Sequence, residues 1–361
     1  MPVSRRVAIL GGVRIPFCRN NTAYFGIGNL GLSTIVLGGL VEKFQLQGQV
    51  LGEVAMGAVL KHSSDFNLAR EATLSSGLSP HTPGLTLQRA CGTSLDSLIT
   101  VANKIAVGQI EVGAGGGSDT TSDVPIAVNK KLRLRLLELN RARTFGERVK
   151  AALKGFSFGE FKPEFPGVAE PRTGKSMGES CEDMAKTWQI TREDQDLLAY
   201  ESHQKAAAAY ARGFYADLVM PFRELSVDNI LRADTNLKPA FDKRTGKGTL
   251  TAGNSTNLSD GASVALLSSE QWAQDNNKEI QAYLVDAQVA AVDFVAGEGL
   301  LMAPAWAVAQ LLKRNNLKLQ DFDFYEIHEA FAAQVLCTLK AWESEEFCKT
   351  KLGMDGALGS I

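Results

Sequence analysis

Short apolar runs alternate with longer stretches of helical periodicity from the start of the chain, and this pattern constrains the fold more than any other feature. Val7 to Leu10 is typical of a strand, Leu30 to Phe44 of an amphipathic helix, and Val54 to Val59 of a second strand flanked by glycines. Such alternation is characteristic of α/β proteins, in which helices cover a sheet. With 361 residues and 45% hydrophobic content, the chain can form two or more packed units.

Charge and cysteine usage exclude several classes of protein. The formal net charge of −2 argues against a general nucleic-acid-binding protein, which needs a concentrated basic surface. No run of 18 apolar residues and no leader sequence is apparent, so we expect a cytoplasmic protein. The five cysteines are widely spaced and form no C-x-x-C pair, which predicts free thiols in a reducing compartment rather than disulfides: Cys18, Cys91, Cys181, Cys337 and Cys348.

Cys91 is the strongest candidate for chemistry. The extended run Leu85 to Leu87 passes through Arg89-Ala90-Cys91 into apolar positions at helical spacing, so Cys91 is predicted at a strand-to-helix turn. Backbone N–H groups and the dipole at a helix N-terminus favour the thiolate form. The alternative is that Cys91 is a small buried apolar residue, and its position alone does not separate the two interpretations.

The remainder of the chain suggests two halves separated by an insertion. We assign residues 1–121 and 250–270 to a first half, 122–249 to an inserted loop domain, and 271–361 to a second half. Ala262 to Leu267 is predicted to be a strand that rejoins the first sheet. The second half is predicted to contain a strand around Ala282 to Val289, a helix from Pro304 to Lys313, a strand from Phe322 to Ile327 and a helix from Glu329 to Trp342.

Seven ordered motifs, spread over nearly the whole chain, resemble those of the thiolase family. The segment around Cys91 is similar to that around the acylated cysteine of thiolases. The complete set is Gly12–Phe17, Gln88–Ser94, Gly115–Asp119, Ser176–Ser180, Tyr200–Ala206, Thr251–Ala262 and His328–Ala332. The His-Glu-Ala-Phe form of the last motif is similar to that of the β-oxidation thiolases that act with a hydratase and dehydrogenase subunit.

The resemblance implies a fold and a reaction. The fold would be a five-layer α-β-α-β-α sandwich of two similar halves, with the inserted loop domain and an incomplete second half. The chain would be a 3-ketoacyl-CoA thiolase that cleaves 3-ketoacyl-CoA with free CoA through an acyl-Cys91 intermediate. His328 would stabilise negative charge on the thioester oxygen. Thr256 and Ser255 would contact CoA, and Met177 would line the acyl pocket.

The resemblance also implies partners: CoA thioesters, a second copy in a homodimer, and a hydratase/dehydrogenase subunit in a heterotetramer. CoA would be a substrate, and neither a resident cofactor nor a metal is expected. The glycines between Gly113 and Gly117 do not form a dinucleotide loop, because Ser118 stands where the third glycine is required.

Two thiolase motifs are missing from the sequence. No histidine is followed by proline, so the Gly-His-Pro motif of the general base is absent, and so is the Cys-x-Gly motif of the second cysteine. We attribute this absence to truncation of the second half, whose few strands would leave an open sheet edge. Without a base, a cysteine of ordinary pKa is only about 3% thiolate at neutral pH, so the printed chain is expected to be impaired in catalysis.

Two other functions fit parts of the sequence. A condensing ketoacyl synthase would share the fold and the cysteine, and a noncatalytic CoA-binding or scaffold subunit would explain the missing base. The basic segment Lys130 to Lys154 holds nine Lys or Arg and only two Glu, with leucines between them. It is interpreted as a solvated amphipathic helix or as a surface for CoA phosphates, a partner subunit or an anionic membrane.

Overall fold

A seven-stranded mixed sheet lies at the centre of the first half in the computed structural model, which describes residues 5–235 and 248–361. Its strand order is β4-β3-β5-β8-β1-β9, and the short strand β2 also pairs with β8. A separate two-stranded ribbon joins β6 to β7. The strands are β1 (Val7–Arg14), β2 (Cys18–Arg19), β3 (Glu53–Gly57), β4 (Gly84–Leu87), β5 (Val112–Asp119), β6 (Ala127–Val128), β7 (Pro163–Glu164), β8 (Ser259–Ser269) and β9 (Ala282–Leu284).

The directions of the strands determine where the candidate site residues lie. β3 runs parallel to both β4 and β5, so the carboxyl ends of these three strands lie at one edge of the sheet. β8 is antiparallel to β5 and to β1, and it inserts between them. The predicted return of the chain to the first sheet at Ala262 to Leu267 is therefore confirmed.

Helices cover both faces of this sheet. Alternate residues of β1 point to opposite sides: Ala8 and Leu10 belong to the core beneath α1, whereas Val7 belongs to the core beneath α3. The helices are α1 (Asn29–Phe44), α2 (Leu68–Ser75), α3 (Thr93–Ala106), α4 (Lys130–Arg141), α5 (Phe145–Leu153), α6 (Met177–Thr187), α7 (Arg192–Ala211), α8 (Glu270–Asp275), α9 (Ala303–Asn315), α10 (Ala332–Glu343) and α11 (Glu345–Thr350).

The glycine run of β5 allows α3 to lie close to the sheet. A Cβ atom at Gly115 would stand 2.8 Å from the backbone N and Cα of Leu98, and one at Gly113 would stand 2.7 Å from Val101 Cγ1. Real Cβ atoms do not approach backbone so closely. These glycines therefore serve the packing of α3 against β5, which positions the helix that follows Cys91.

A second core, made of helices, joins the inserted region to the second half. Buried side chains of α6, α9, α10 and α11 form this core, and Cys337, Ala341 and Trp342 lie at its centre. Within residues 248–361 the only strands are β8 and β9, and both belong to the first sheet. The five-layer arrangement stays a prediction.

Three predicted boundaries in the second half are corrected. The strand expected to reach Val289 ends at Leu284, the segment Phe322 to Ile327 forms no strand, and the helix expected from Glu329 begins at Ala332. Alternating apolar residues favour an extended backbone, but a strand also needs a neighbour to accept and donate hydrogen bonds. The sequence pattern does not show whether such a neighbouring strand is present.

Two stretches lie outside the described residues. They are 1–4, on which the expectation of no leader sequence partly rests, and 236–247, within the predicted inserted domain. Among the residues that are described, no helix combines the length and apolarity needed to cross a membrane.

Candidate active site

Cys91 lies at a sharp turn between β4 and α3, as the sequence predicts. Ala90 adopts a left-handed backbone with φ 41°, which is uncommon for a residue with a side chain and marks local strain. Thr93 holds the turn: its hydroxyl accepts a hydrogen bond from the Arg89 N–H at 2.8 Å and donates one to the Ala90 carbonyl at 2.7 Å. The turn thereby leaves Cys91 exposed while Thr93 is buried.

The sulfur faces a cavity of about 230 Å³ at the carboxyl ends of the parallel strands. Gly57 of β3 and Asp119 of β5 line it together with Cys91, as the strand directions require. Phe17 and Ser259 also line it. The crevice beyond the carboxyl ends of parallel strands is a common position for ligand sites in α/β proteins.

The pKa of the Cys91 thiol is raised from its ordinary value. Desolvation by the protein atoms around the thiol is the main cause, and the nearby Asp119 carboxylate adds to it, whereas the Cys91 backbone N–H lowers the pKa by a hydrogen bond to the sulfur. The backbone N–H lowers the pKa, as the sequence predicts, but it does not set the net direction of the shift. Desolvation and one negative charge outweigh the favourable backbone dipoles.

Asp119 is a charged neighbour of Cys91 that the sequence analysis placed in a motif but did not name as a candidate site residue. Its Oδ1 accepts hydrogen bonds from the Val59 and Leu60 N–H groups, at 2.8 and 3.2 Å. Burial raises the pKa of its carboxyl, although these two bonds oppose the shift. Its place at the end of a glycine-rich strand parallel to the strand before Cys91 is the signal that could have found it.

The other four cysteines are buried, as expected for structural residues. Burial raises the pKa of Cys181 and of Cys337 to about 12. All five thiols are free. Among these five cysteines, only Cys91 is exposed to solvent.

A larger cavity, of about 780 Å³, contains two of the residues expected to contact CoA. Ser255 and Thr256 line it with Phe331 and Leu258. Its rim also carries charged side chains, Lys175 and Lys186 against Glu179, Glu182 and Asp183. Among the described residues of this lining, two cations stand against three carboxylates, so these side chains do not form a basic site for phosphates.

Backbone pairing joins the Thr251–Ala262 motif to the motif that begins at His328. The Thr256 N–H donates to the Ala330 carbonyl at 3.0 Å, and the Ala332 N–H donates to the Asn254 carbonyl at 3.0 Å. Leu258 lines the larger cavity and the next residue, Ser259, lines the Cys91 cavity. The two cavities thus lie on either side of one short backbone segment.

The positions of His328 and Met177 give less support to the roles expected of them. His328 is exposed, in the stretch between Asp321 and α10, and it does not line either cavity. Met177 is partly exposed at the start of α6, where its neighbours Ser176 and Gly178 line the larger cavity but Met177 does not. Their proposed roles therefore depend on the family motif more than on the geometry.

An exposed thiol at a strained turn, with one cavity beside it and a larger cavity adjoining, suits a transferase that uses the thiol as its nucleophile. Residues 7–271 match the thiolase N-terminal domain and residues 278–359 the thiolase C-terminal domain. The chain belongs to the thiolase family.

Similar proteins include 3-ketoacyl-CoA thiolases of several bacteria. That of Enterobacter sp. (strain 638) is 39% identical over 99% of this chain and 83% of its own length. That of Shewanella baltica (strain OS155 / ATCC BAA-1091) is 37% identical over the same shares. The human mitochondrial 3-ketoacyl-CoA thiolase structure in complex with CoA is 26% identical, with a TM-score of 0.79, and covers 99% of this chain and 89% of the human one.

Proposed function

We propose that this chain is a 3-ketoacyl-CoA thiolase, which cleaves 3-ketoacyl-CoA with free CoA to give acetyl-CoA and an acyl-CoA shortened by two carbons. The observation that carries the proposal is the exposed Cys91 thiol in its cavity at the strained turn, in a chain of the thiolase family. Relatives named 3-ketoacyl-CoA thiolase match 99% of the chain and support the same reaction.

The reaction would run in two halves. The Cys91 thiol gives up its proton as the sulfur attacks the 3-keto carbon, the bond between carbons 2 and 3 breaks, and acetyl-CoA leaves as an enolate that takes up a proton. Free CoA then attacks the acyl-Cys91 thioester and releases the shortened acyl-CoA and the thiol. His328 would donate to the enolate oxygen, and the Cys91 N–H would contribute to the oxyanion site.

CoA would bind in the larger cavity as a substrate, with its pantetheine arm along Ser255 and Thr256. Support comes from the cavity's size, from its position one residue away from the Cys91 cavity, and from its mixed polar and apolar lining. Met177 would contact the acyl chain from the start of α6. No resident cofactor is required by this reaction.

The proposal extends to assembly and location. We expect a homodimer, a hydratase/dehydrogenase subunit as a further partner, and a cytoplasmic location. The five free thiols suit a reducing compartment. Sedimentation of the purified chain, alone and with such a subunit, tests the assembly.

The direct test is incubation of the purified chain with 3-ketoacyl-CoA, followed by mass spectrometry of the protein and assay of acetyl-CoA. We expect an acyl group on Cys91 and none in the Cys91→Ser variant. Thiolysis should follow when CoA is added, and substrates of increasing length define the acyl-chain preference. Thr256→Val should raise the KM for CoA about fivefold, the value of one hydrogen bond.

A noncatalytic CoA-binding subunit is the second candidate, favoured by the raised pKa of Cys91. It predicts that CoA binds without any covalent adduct and that Cys91→Ser leaves CoA affinity unchanged. An adduct on Cys91 that is discharged by CoA would exclude this candidate.

A further inference from the structure

Phe17 carries the only large apolar side chain among the described residues that line the Cys91 cavity. Apart from Cys91 and Asp119, the other lining residues are glycine, alanine, serine and threonine. At about 230 Å³ the cavity is smaller than ordinary ligand pockets, which span roughly 300–1,000 Å³. Phe17 is therefore the lining residue whose substitution would enlarge this small cavity the most.

The ring of Phe17 lies against the backbone of β8. A Cβ atom at Gly261 would stand 2.6 Å from Phe17 Cδ1 and 3.0 Å from Phe17 Cε1, so the ring occupies the space that a side chain would need there. Gly261 also lines the Cys91 cavity. The Arg14 guanidinium carbon lies 4.7 Å from the centre of the same ring, which is close enough for a cation–π contact. The ring is therefore in contact with both the sheet and a cation.

The chain segment between α7 and β8 holds the backbone of Phe17. Asp228 Oδ1 accepts a hydrogen bond from the Phe17 N–H at 2.6 Å, and the Asn229 N–H donates to the Phe17 carbonyl at 3.1 Å. Two adjacent residues of the predicted inserted domain thus fix the peptide groups before and after Phe17. The position of Phe17 consequently depends on a residue 211 positions away in the sequence.

An ion pair with Arg14 orients the Asp228 carboxylate. Arg14 Nη1 donates to Asp228 Oδ1 at 2.7 Å, and Nη2 donates to Oδ2 at 3.0 Å. The two side chains are only 17% and 14% exposed, so solvent screens this pair less than a surface ion pair. The same guanidinium donates to the hydroxyl of Tyr210 in α7 at 3.2 Å. Such a two-point contact fixes direction, and it leaves Asp228 Oδ1 facing the Phe17 N–H.

We propose that Phe17 limits the size of the acyl group that Cys91 can carry, and that Asp228 is the positioning residue that holds Phe17 in the cavity wall. The acyl group itself rests on the proposed function, whereas a limit on bulk at the sulfur applies to any electrophile that reaches Cys91. An acyl group that is narrow at its thioester carbon fits beside Phe17, and one with a ring at that carbon does not.

The first test needs no thiolase activity. It compares the rates at which N-methylmaleimide and N-benzylmaleimide react with Cys91 in the full chain. Both reagents react with the same thiolate, so a change in the pKa of Cys91 alters the two rates alike and leaves their ratio unchanged. Phe17→Ala should raise the ratio of the benzyl rate to the methyl rate about tenfold, at the low end of what a pocket wall supplies in discrimination.

Phe324→Ala is the matched control. It also removes a phenylalanine ring, but this ring is 90% exposed and lines neither the Cys91 cavity nor the larger one. The ratio of rates should therefore equal that of the unmodified chain. Circular dichroism and the thermal midpoint show whether each variant is folded.

Variants of Asp228 test how Phe17 is held. Asp228→Ala should raise the ratio about threefold, because Phe17 loses one hydrogen bond but keeps its ring. Asp228→Asn retains an acceptor for the Phe17 N–H and should return the ratio most of the way to that of the unmodified chain. Should Asp228→Ala not fold, Asp228→Glu, which displaces the carboxylate by one methylene, should raise the ratio in its place. Asp286→Ala breaks a similar two-point pair with Arg314 and should leave the ratio unchanged.

The second test uses thioesters, with acetoacetyl-CoA and 3-keto-3-phenylpropionyl-CoA as substrates. Attack on the 3-keto carbon leaves an acetyl group on Cys91 from the first and a benzoyl group from the second, and acetyl-CoA is released from both. Phe17→Ala should raise the ratio of benzoyl to acetyl adduct, measured by mass spectrometry of the protein. If no adduct forms from either thioester, the proposed function fails, while the maleimide ratio still decides the role of Phe17.

Two results would overturn the proposal. A ratio of maleimide rates that is unchanged or lower in Phe17→Ala would mean that this ring does not limit bulk at the sulfur. Equal ratios for Asp228→Ala and Asp286→Ala would mean that Asp228 does not position Phe17.

Discussion

At the scale of single residues, the site depends on how Ala90, Thr93 and Asp119 set the position and the pKa of one thiol. Thr93 fixes the turn by two hydrogen bonds, Ala90 carries the backbone strain, and Asp119 adds a negative charge to the cavity. The raised pKa of Cys91 means that a charge partner or a base must lower the cost of forming the thiolate before it can attack.

Accessibility of the five thiols gives the first prediction. Ellman's reagent should titrate one thiol per native chain, because Cys91 is exposed and the other four are buried, and all five in guanidinium chloride. The Cys91→Ser variant should give no rapid reaction in the native state. A second fast thiol in the unmodified protein would contradict the burial described here.

The second prediction concerns the charge beside the thiol. Asp119→Asn keeps an acceptor for the Val59 and Leu60 N–H groups but removes the negative charge that helps to raise the pKa of Cys91. Only the thiolate is alkylated, so the rate of iodoacetamide reaction rises with pH through the thiol pKa. The profile of the variant should therefore shift to lower pH, with a faster rate at pH 8.

Glu111→Gln is a suitable control for this measurement, because its carboxylate pairs with Arg5 and Ser269 away from the Cys91 cavity. Its profile should coincide with that of the unmodified chain. An unshifted profile for Asp119→Asn would mean that burial alone raises the pKa of Cys91.

At the scale of secondary structure elements, close packing of α3 on β5 places the start of α3 at the sheet edge. Gly115 has no room for a side chain, because an added Cβ would meet the Leu98 backbone at 2.8 Å. The contact is between backbone atoms, so no rotamer change can relieve it.

Substitution of this glycine gives the third prediction. Gly115→Ala should lower the free energy of unfolding by about 3 kcal/mol, measured by urea denaturation, because the helix must move away from the sheet. Gly146→Ala in α5, where nothing lies within 4 Å, should be neutral or stabilising by up to ~1 kcal/mol. Equal midpoints for the two variants would show that α3 can shift without cost.

At the scale of the whole molecule, Asn254 lies where three parts of the chain come together. This buried side chain accepts from the Thr251 N–H at 2.7 Å and donates to Asp196 of α7 at 2.9 Å and to the Thr249 carbonyl at 3.1 Å. Its backbone carbonyl accepts from Ala332 at the start of α10. One residue therefore couples the inserted region, the segment before β8 and the second half.

The fourth prediction follows from this coupling. Asn254→Ala should lower the free energy of unfolding by about 3 kcal/mol, since it leaves buried polar groups without partners. It should also weaken CoA binding in isothermal titration, because Ser255 and Thr256 adjoin it. Asn140→Ala, at an exposed position of α4, is the control expected to change neither quantity.

The sequence by itself determined the class of fold, the position of Cys91 and the family. Periodic apolar residues and turn residues act locally, so β1, α1 and β3 were predicted to within a few residues of their observed bounds. The turn at Cys91 follows from the change of periodicity from two to 3.6 residues at that point.

Only the tertiary structure decided the pKa of Cys91 and which segments of the second half form strands. The pKa of Cys91 depends on burial and on Asp119, which is 28 positions away in the chain and reaches the thiol because two strands run parallel. The extended segment at Phe322 to Ile327 is not a strand because a strand exists only with a hydrogen-bonded neighbour. Both are properties of contacts between distant residues, and local sequence patterns do not encode such contacts.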